Sequence, residues 1–258
     1  MPDQMASVST QNGSWSALLF RLTAFLSPRA TVDMTTSWWA EIIGELPESQ
    51  QSNPKLFQKT EAGSYNGASL SFEIQPGRVD WRISALAANQ PIPNSPDDFR
   101  PISILLPSFL EITNRWFAIA PPLIRLAFGA QLGIPVSEKA SGYRTLARYL
   151  PALTIDAEGS SDLLYQINRP RTSSIISDLR INRLSKWAVT IFTTANMRLL
   201  GDNPTLASES QQLIACLLEL DINTAASHTE EIPPGQLAPQ FLELTRLGQE
   251  IAATGDLP

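Results

Sequence analysis

The chain has 258 residues, of which 43% are hydrophobic and 17% charged, and its formal net charge is −6. This composition excludes global disorder and is typical of a globular protein with one large domain or two ordinary ones. The single cysteine, Cys216, excludes an intramolecular disulfide, and the N-terminus lacks the basic and apolar regions of a signal peptide. We therefore expect a cytoplasmic protein with no membrane contact.

The first half of the chain predicts a strand, a short helix and a three-stranded meander. Residues 1–12 are polar and are predicted to be disordered. Residues 15–26, WSALLFRLTAFL, predict a strand, and SWWAEIIGEL predicts a helix capped by Thr35 or Thr36. The runs LFQKTEAGSY, ASLSFEIQ and RVDWRISAL alternate in polarity and are separated by Asn66-Gly67 and Pro76-Gly77. Those dipeptides favour tight turns, so these runs predict a meander.

The second half repeats this order of elements after a long middle helix. Ser95-Pro96-Asp97-Asp98 predicts the start of that helix, which we expect to reach about Ala118 with a kink at its prolines. LIRLAFGAQLGI then predicts a strand, and Ser137 opens a short helix through GYRTLARYL. Strands are predicted at about 162–169 and 178–194 and over LIACLLELDI, before a final amphipathic helix. We predict an α+β fold with two similar halves, 13–119 and 120–258, each of mostly antiparallel sheet backed by helices.

Two resemblances follow from this order of elements. The duplicated strand–helix–strands–helix pattern resembles the saddle-shaped fold of TATA-binding proteins. The segments PLIRLAFGAQLGIPV, CLLELDI and LAPQFLELTRLGQEIAATG resemble a sporadically distributed family of bacterial proteins of unknown function, although the proline-rich middle helix departs from that pattern. The second resemblance implies a bacterial or mobile-element origin and carries over no catalytic residue.

The sequence predicts no catalytic residue, no metal site and no cofactor. His228 is the only histidine, so a multi-histidine metal site is excluded, and Cys216 lies in an apolar run where a thiol is usually inert. Glu219 and Asp221 share a strand face, because residues two apart in a strand point the same way. They form a candidate carboxylate pair, against the simpler interpretation of ordinary strand-end charges.

Trp39 is a candidate for a protein interface. The helix that contains Trp38 and Trp39 turns one indole inward and the other about 100° around its axis. Tryptophan is enriched at protein interfaces, so Trp39 is predicted either to contact a partner or to pack in the core.

The segment 166–187, QINRPRTSSIISDLRINRLSKW, concentrates positive charge in an acidic protein. Residues 120–200 hold 10 basic and 5 acidic side chains, a net charge of +5, whereas residues 201–258 hold 1 basic and 9 acidic, a net charge of −8. Strand periodicity predicts that Arg180 and Lys186 share one face while Arg183 points to the other. Pro170 predicts an edge strand. The candidate residues for binding nucleic acid or a partner are Arg169, Arg171, Arg180, Arg183 and Lys186.

These features predict a non-enzymatic interaction or regulatory subunit of a bacterial system, such as defence or toxin neutralisation. Its partner is expected to be another protein or a second copy of the chain. Two alternatives stay open: a nucleic-acid-binding protein that uses the basic edge hairpin, and a small-molecule-binding or hydrolytic domain that uses Glu219, Asp221 or His228. In a third interpretation of the basic hairpin, its charges are solvated or pair with the acidic C-terminal segment.

Overall fold

The computed structural model describes residues 14–200 and 205–257, so the segment 1–12, predicted to be disordered, lies outside the described residues. In chain order the described elements are β1 (Ser16–Leu26), α1 (Trp38–Ile43), β2 (Ser49–Asn53), β3 (Gln58–Tyr65), β4 (Ala68–Gln75), β5 (Arg78–Ser84), β6 (Arg100–Pro101), α2 (Ile102–Phe117), β7 (Leu123–Val136), α3 (Lys139–Ala147), β8 (Leu164–Asn168), β9 (Arg171–Thr172), β10 (Arg180–Leu200), β11 (Thr205–Thr224) and α4 (Pro234–Thr254).

The eleven described strands form one antiparallel sheet. Its order is β2–β3–β4–β5–β1–β7–β11–β10–β8, with β6 paired to β1 and β9 paired to β10. The central pair, β1 and β7, is distant in the sequence, and Phe20 lies opposite Ala130 in its register. The predicted mixture of helices with a mostly antiparallel sheet is confirmed, and a single sheet runs through both predicted halves.

The long helices α2 and α4 cover one face of the sheet around β1, β7 and β11. Phe20 of β1 stacks on Phe128 of β7 with ring centroids 5.8 Å apart, and Phe241 of α4 meets Phe128 edge-on at 6.0 Å. Phe109 of α2 stacks on Phe20 at 6.2 Å. Aromatic pairs in these geometries contribute beyond the area they bury, so this cluster fixes both helices on the centre of the sheet.

The opposite face, here called the open face, carries the alternate side chains of the same strands and is not covered by any described helix. In β4 the alternation is complete, with Ala68, Leu70, Phe72 and Ile74 buried on the helix side. The segment between β5 and β6 folds over one end of the open face. Its Phe99 lies so close to Gly133 that an added Cβ would be 2.0 Å from a ring carbon, so this contact requires glycine.

The predicted meander is confirmed as β3, β4 and β5. Asn66 and Gly67 both have positive φ, 49° and 72°, which is the backbone of a two-residue hairpin turn that asparagine and glycine favour. Gly77 has φ of 76° in the second turn. Local turn chemistry thus fixes these strand boundaries.

The predicted start of the middle helix is wrong. Ser95 and Asp98 do form a capping box, but the turn they cap is a 3-10 turn that ends at Asp98. Arg100 precedes Pro101 and is therefore pushed away from the helical region, so it pairs with β1 instead. The helix begins at Ile102.

Two smaller predictions also differ from the structure. The N-cap of α1 is Ser37, whose side chain accepts a hydrogen bond from the Ala40 N–H, rather than Thr35 or Thr36. Strand β2 has the sequence SQQSN with every residue exposed, so it has no apolar periodicity that could predict it. None of the helices in the described ranges is both long and apolar enough to cross a membrane.

Candidate binding groove on the open sheet face

The basic segment 166–187 lies at the sheet edge that β8 forms, and several of its cations face α4 and the residues after it. Arg169 donates to both carboxylate oxygens of Asp256, at 2.5 and 2.9 Å. This hydrogen bond raises the pKa of Arg169 and lowers that of Asp256. Arg171 and Arg183 both approach Glu250, at 2.9 and 3.3 Å. The acidic C-terminal segment therefore supplies internal partners for three of the candidate arginines.

The strand periodicity predicted for this segment is confirmed. The Arg183 side chain is only 3% exposed on the helix side of β10, and burial lowers its pKa. Lys186 lies on the open face and pairs with Glu219 of β11 at 3.1 Å. Arg180 is exposed, and Pro170 separates the edge strands β8 and β9 as expected.

The loop that joins the two basic arms is held against α4. Ser173 and Ser174 donate to the carboxylate of Glu243, at 2.5 and 2.7 Å, and these hydrogen bonds lower the pKa of Glu243 against the opposing effect of its burial. The basic hairpin is thus fastened to the body of the fold through its loop as well as its charged side chains.

Trp39, the candidate interface residue, is 2% exposed. Its indole packs over Gly63, where an added Cβ would be 3.0 Å from Cζ2, and its backbone N–H donates to Glu61 at 3.1 Å. In this structure the Trp39 side chain contributes to the core beneath α1.

The other candidates of the sequence are not brought together into a metal or nucleophile site. His228 lies in the turn after β11, where its backbone N–H donates a hydrogen bond to the Ala225 carbonyl oxygen at 3.0 Å. Within the described residues, no group of three or more histidine, cysteine, aspartate or glutamate side chains could hold a metal ion. Cys216 is fully buried, and burial raises the pKa of its thiol to about 12. Such a thiol is not a nucleophile at neutral pH.

Glu219 and Asp221 do share the open face, as predicted, and both line a groove that three adjoining cavities form along β1 and β7. The central cavity has a volume of about 300 Å³. Lys186 forms an ion pair with Glu219, and the Asp221 carboxylate accepts a hydrogen bond from the Asn223 side-chain amide at 3.0 Å. The remaining lining side chains of the central cavity include Leu19, Arg21, Gln131, Gln166 and Leu184.

One end of the groove is apolar. A cavity of about 430 Å³ lies between the proline-rich segment 90–93, the start of β1 and the base of the β10–β11 hairpin, and it shares Leu19, Gln131 and Glu219 with the central cavity. At this end Leu86, Phe192 and Leu217 pack against a small buried cluster, separate from the main core, that consists of Leu18, Phe99, Leu213 and Ala215.

The other end of the groove is cationic. A cavity of about 220 Å³ shares Arg21 and Asp221 with the central cavity and is also lined by Arg78 and Arg125. Arg78 pairs at 2.9 Å with the buried Asp80, which also accepts a hydrogen bond from Thr23. The Arg125 guanidinium lies 4.4 Å from the centroid of the Phe25 ring. Burial lowers the pKa of Arg125, and the nearby carboxylate of Asp221 offsets only part of this effect.

Arg21 lies where the central and cationic cavities meet. Its guanidinium passes over Gly129, where an added Cβ would be 3.2 Å from Nε, so glycine provides the space that the side chain occupies. The Arg21 Nε atom is buried without a hydrogen-bond partner among the described residues. An unsatisfied buried donor is costly, which makes this position suited to an acceptor from outside the chain.

Reasoning from the sequence missed the cationic end of the groove. Arg21, Arg78 and Arg125 are far apart in the chain, and they lie in three different strands: Arg21 and Arg125 are the one cation in β1 and in β7, and Arg78 shares β5 with Arg82. One sequence signal could have indicated this site: a charged residue within an apolar run, such as the arginine in LLFRLTAF. Because alternate residues of a strand point to opposite faces, such a residue is expected on the face opposite the core.

Comparison of the sequence with protein-family models finds no match, and comparison with curated proteins finds none either. Among solved structures, the chain is similar to the outer membrane protein AlkL, determined by solid-state NMR in DMPC lipid bilayers, at 12% identity. The alignment covers 89% of this chain and 100% of AlkL with a TM-score of 0.16, and a similarity this low carries no argument about fold or function.

Proposed function

We propose that this protein is a non-enzymatic interaction subunit that receives an extended segment of a protein partner in the groove on its open face. The observation that carries the proposal is the continuity of the groove, from Leu217 and Phe192 at its apolar end to Arg125 at its cationic end. From Leu18 to Phe25 the groove follows β1 for about 23 Å, at roughly 3.3 Å per residue, which matches about seven residues of extended peptide.

The chemistry of the open face favours a protein segment over the alternatives. Nucleic-acid binding depends on neutralising many phosphates, whereas Arg169, Arg171, Arg183 and Lys186 face carboxylates of their own chain. A mixed surface that is apolar at one end and charged at the other is typical of sites that recognise side chains of an extended segment.

We place this function in a reducing bacterial cytoplasm, in a defence or toxin-neutralising system. Support comes from the resemblance described above and from Cys216, which is fully buried as a free thiol.

We also propose that the chain arose by internal duplication. Counted outward from the central pair, the strands follow the order β1–β5–β4–β3–β2 on one side and β7–β11–β10–β8 on the other, so that β2 is an additional edge strand of the first half. In chain order, a short helix follows the first strand of each half, β1 or β7, and a long helix follows its last strand, β6 or β11. A superposition of the two halves that does not align these strands in this order contradicts the duplication.

The test of function is purification of the tagged protein from its native host, followed by reconstitution with the purified companion. Gln131→Trp places an indole where the central and apolar cavities meet, and Gln249→Trp makes the same change at an exposed position on α4. We expect the companion to bind the wild type and the Gln249 variant with equal affinity and the Gln131 variant at least tenfold more weakly. A companion retained equally by both variants, a nuclease-sensitive companion, or a lone monomer contradicts the proposal.

A further inference from the structure

We propose that the cationic end of the groove binds one carboxylate group of the partner segment through Arg21 and Arg125. This inference rests on the proposed function, since it specifies which chemical group enters the cavity of about 220 Å³ that these arginines line. Arginine is suited to this role because its planar guanidinium donates two parallel hydrogen bonds to a carboxylate.

Both arginines have donors that their own chain leaves available. Among the side chains that the structure describes, neither Arg21 nor Arg125 has a carboxylate oxygen within 4.0 Å. Arg125 uses its Nε to bond the Thr224 carbonyl oxygen at 3.2 Å, while the Nε of Arg21 is buried and unpartnered among those residues. The Nε atoms of Arg78 and Arg82, on the same face, also lack a hydrogen-bond partner in the described part of the chain, but each of these arginines has a carboxylate beside it. Arg78 lies 2.9 Å from Asp80, and Arg82 approaches Glu73 at 3.8 Å.

The charge within the cavity selects an anion with a single charge. The Arg78–Asp80 pair is neutral as a unit, so two positive charges, on Arg21 and Arg125, remain against the negative charge of Asp221. A carboxylate brings this set of charges to neutrality, whereas a phosphate dianion leaves an excess negative charge beside Asp221. Like charges close together in a partly buried site are unfavourable, so a carboxylate is preferred to a phosphate.

The surrounding side chains hold the two arginines in place. Phe25 supports the Arg125 guanidinium with its ring face, an attraction that strengthens where water is excluded. Gly129 allows Arg21 to lie flat on the sheet, and Asn223 keeps the Asp221 carboxylate occupied. A carboxylate that enters therefore meets donors that are already oriented, which lowers the entropic cost of binding.

The experiment titrates the isotope-labelled full chain with acetate, and separately with inorganic phosphate at pH 7.5, at constant ionic strength. The arginine Nε–Hε signals are followed by NMR. We expect acetate to shift the signals of Arg21 and Arg125 saturably, and phosphate to bind at least severalfold more weakly. Arg21→Gln should raise the Kd for acetate, read at Arg125, about tenfold or more, whereas Arg180→Gln at an exposed site should leave it within twofold.

If Arg21→Gln does not fold, Arg125→Gln with Arg21 as the reporter gives the same information. The inference is overturned if acetate shifts neither signal, if phosphate binds as tightly as acetate, or if Arg180→Gln weakens acetate as much as Arg21→Gln does. These outcomes are separate from the companion experiment. A companion lost in the Gln131 variant without any acetate site overturns only the carboxylate assignment, whereas an acetate site without a companion overturns the proposed function.

Discussion

The buried ion pair between Lys59 and Glu61 provides a stringent test of how α1 is attached to the sheet. Both side chains are 0% exposed, and Lys59 Nζ lies 3.0 Å from Glu61 Oε1. Lys59 also donates to the Thr36 carbonyl oxygen at 2.7 Å, and Glu61 accepts from the Trp39 N–H at 3.1 Å, which is one of the free donors in the first turn of α1. The pair thus connects β3 to both the entry and the first turn of α1.

Glu61→Leu removes the acceptor and leaves an ammonium group buried without a counter-charge. Breaking a buried pair in this way costs about 3–5 kcal/mol of the free energy of unfolding. With an m-value of about 3 kcal/mol/M for a chain of this length, the urea midpoint should fall by about 1–1.7 M. Tryptophan fluorescence reports the transition, since Trp38 and Trp39 both lie in α1.

Two further variants determine whether this reasoning is correct. The double variant Lys59→Met with Glu61→Leu should recover at least half of the loss, because replacing both charges by apolar groups removes their desolvation cost. Glu111→Leu breaks the half-exposed pair with Arg115 and should cost less than about 1 kcal/mol. A double variant as unstable as Glu61→Leu, or a loss at Glu61 no larger than that at Glu111, refutes the argument.

Three other predictions follow from buried or strained positions. Cys216, with a pKa of about 12, should resist iodoacetamide at pH 8 in the folded chain and react completely in 6 M guanidinium, as mass spectrometry will report; rapid reaction in the folded state contradicts its burial. Asp256→Asn should cost about 1.5–3 kcal/mol at pH 7, because the pKa of Asp256 is lowered by Arg169 and its ionised form stabilises the fold. Since that stabilisation is lost as the pH falls from the ordinary value of 3.8 through the lower folded pKa, the urea midpoints of variant and wild type should converge in acid, and a constant difference contradicts the assignment. Gly255→Ala should cost more than about 2 kcal/mol, because φ is +80° and the added Cβ would lie 2.1 Å from the Tyr149 carbonyl oxygen. Gly235→Ala, with open space around it, should change stability by less than about 1 kcal/mol, and equal costs at the two glycines contradict the steric argument.

The groove and the core are formed by opposite faces of the same strands. Phe20 and Phe128 project towards the helices, whereas Arg21 and Gly129, their neighbours in sequence, lie on the open face. The core that α2 and α4 complete therefore also determines the positions of the groove side chains. Substitutions in the groove can for this reason change binding without removing core contacts.

The amino-acid sequence by itself determined the local structure of this protein. Alternating polarity specified β4 and the neighbouring strands, Asn66-Gly67 specified the hairpin turn, and period-2 spacing placed Lys186 and Arg183 on opposite faces of β10. These features depend on residues only a few positions apart, so the pattern of the chain contains them.

Only the tertiary structure decided which strands are neighbours and which charges meet. The pairing of β1 with β7 brings Arg21 beside Gly129, and the packing of the chain end against β8 brings Arg169 to Asp256. Arg21, Arg78 and Arg125 line one cavity because their strands are adjacent in the sheet, although more than 40 residues separate each from the next. Strand order is set by how the whole sheet buries its apolar face against α2 and α4. This long-range packing cannot be read from the local periodicity of the sequence, because the strands that become neighbours are far apart in the chain.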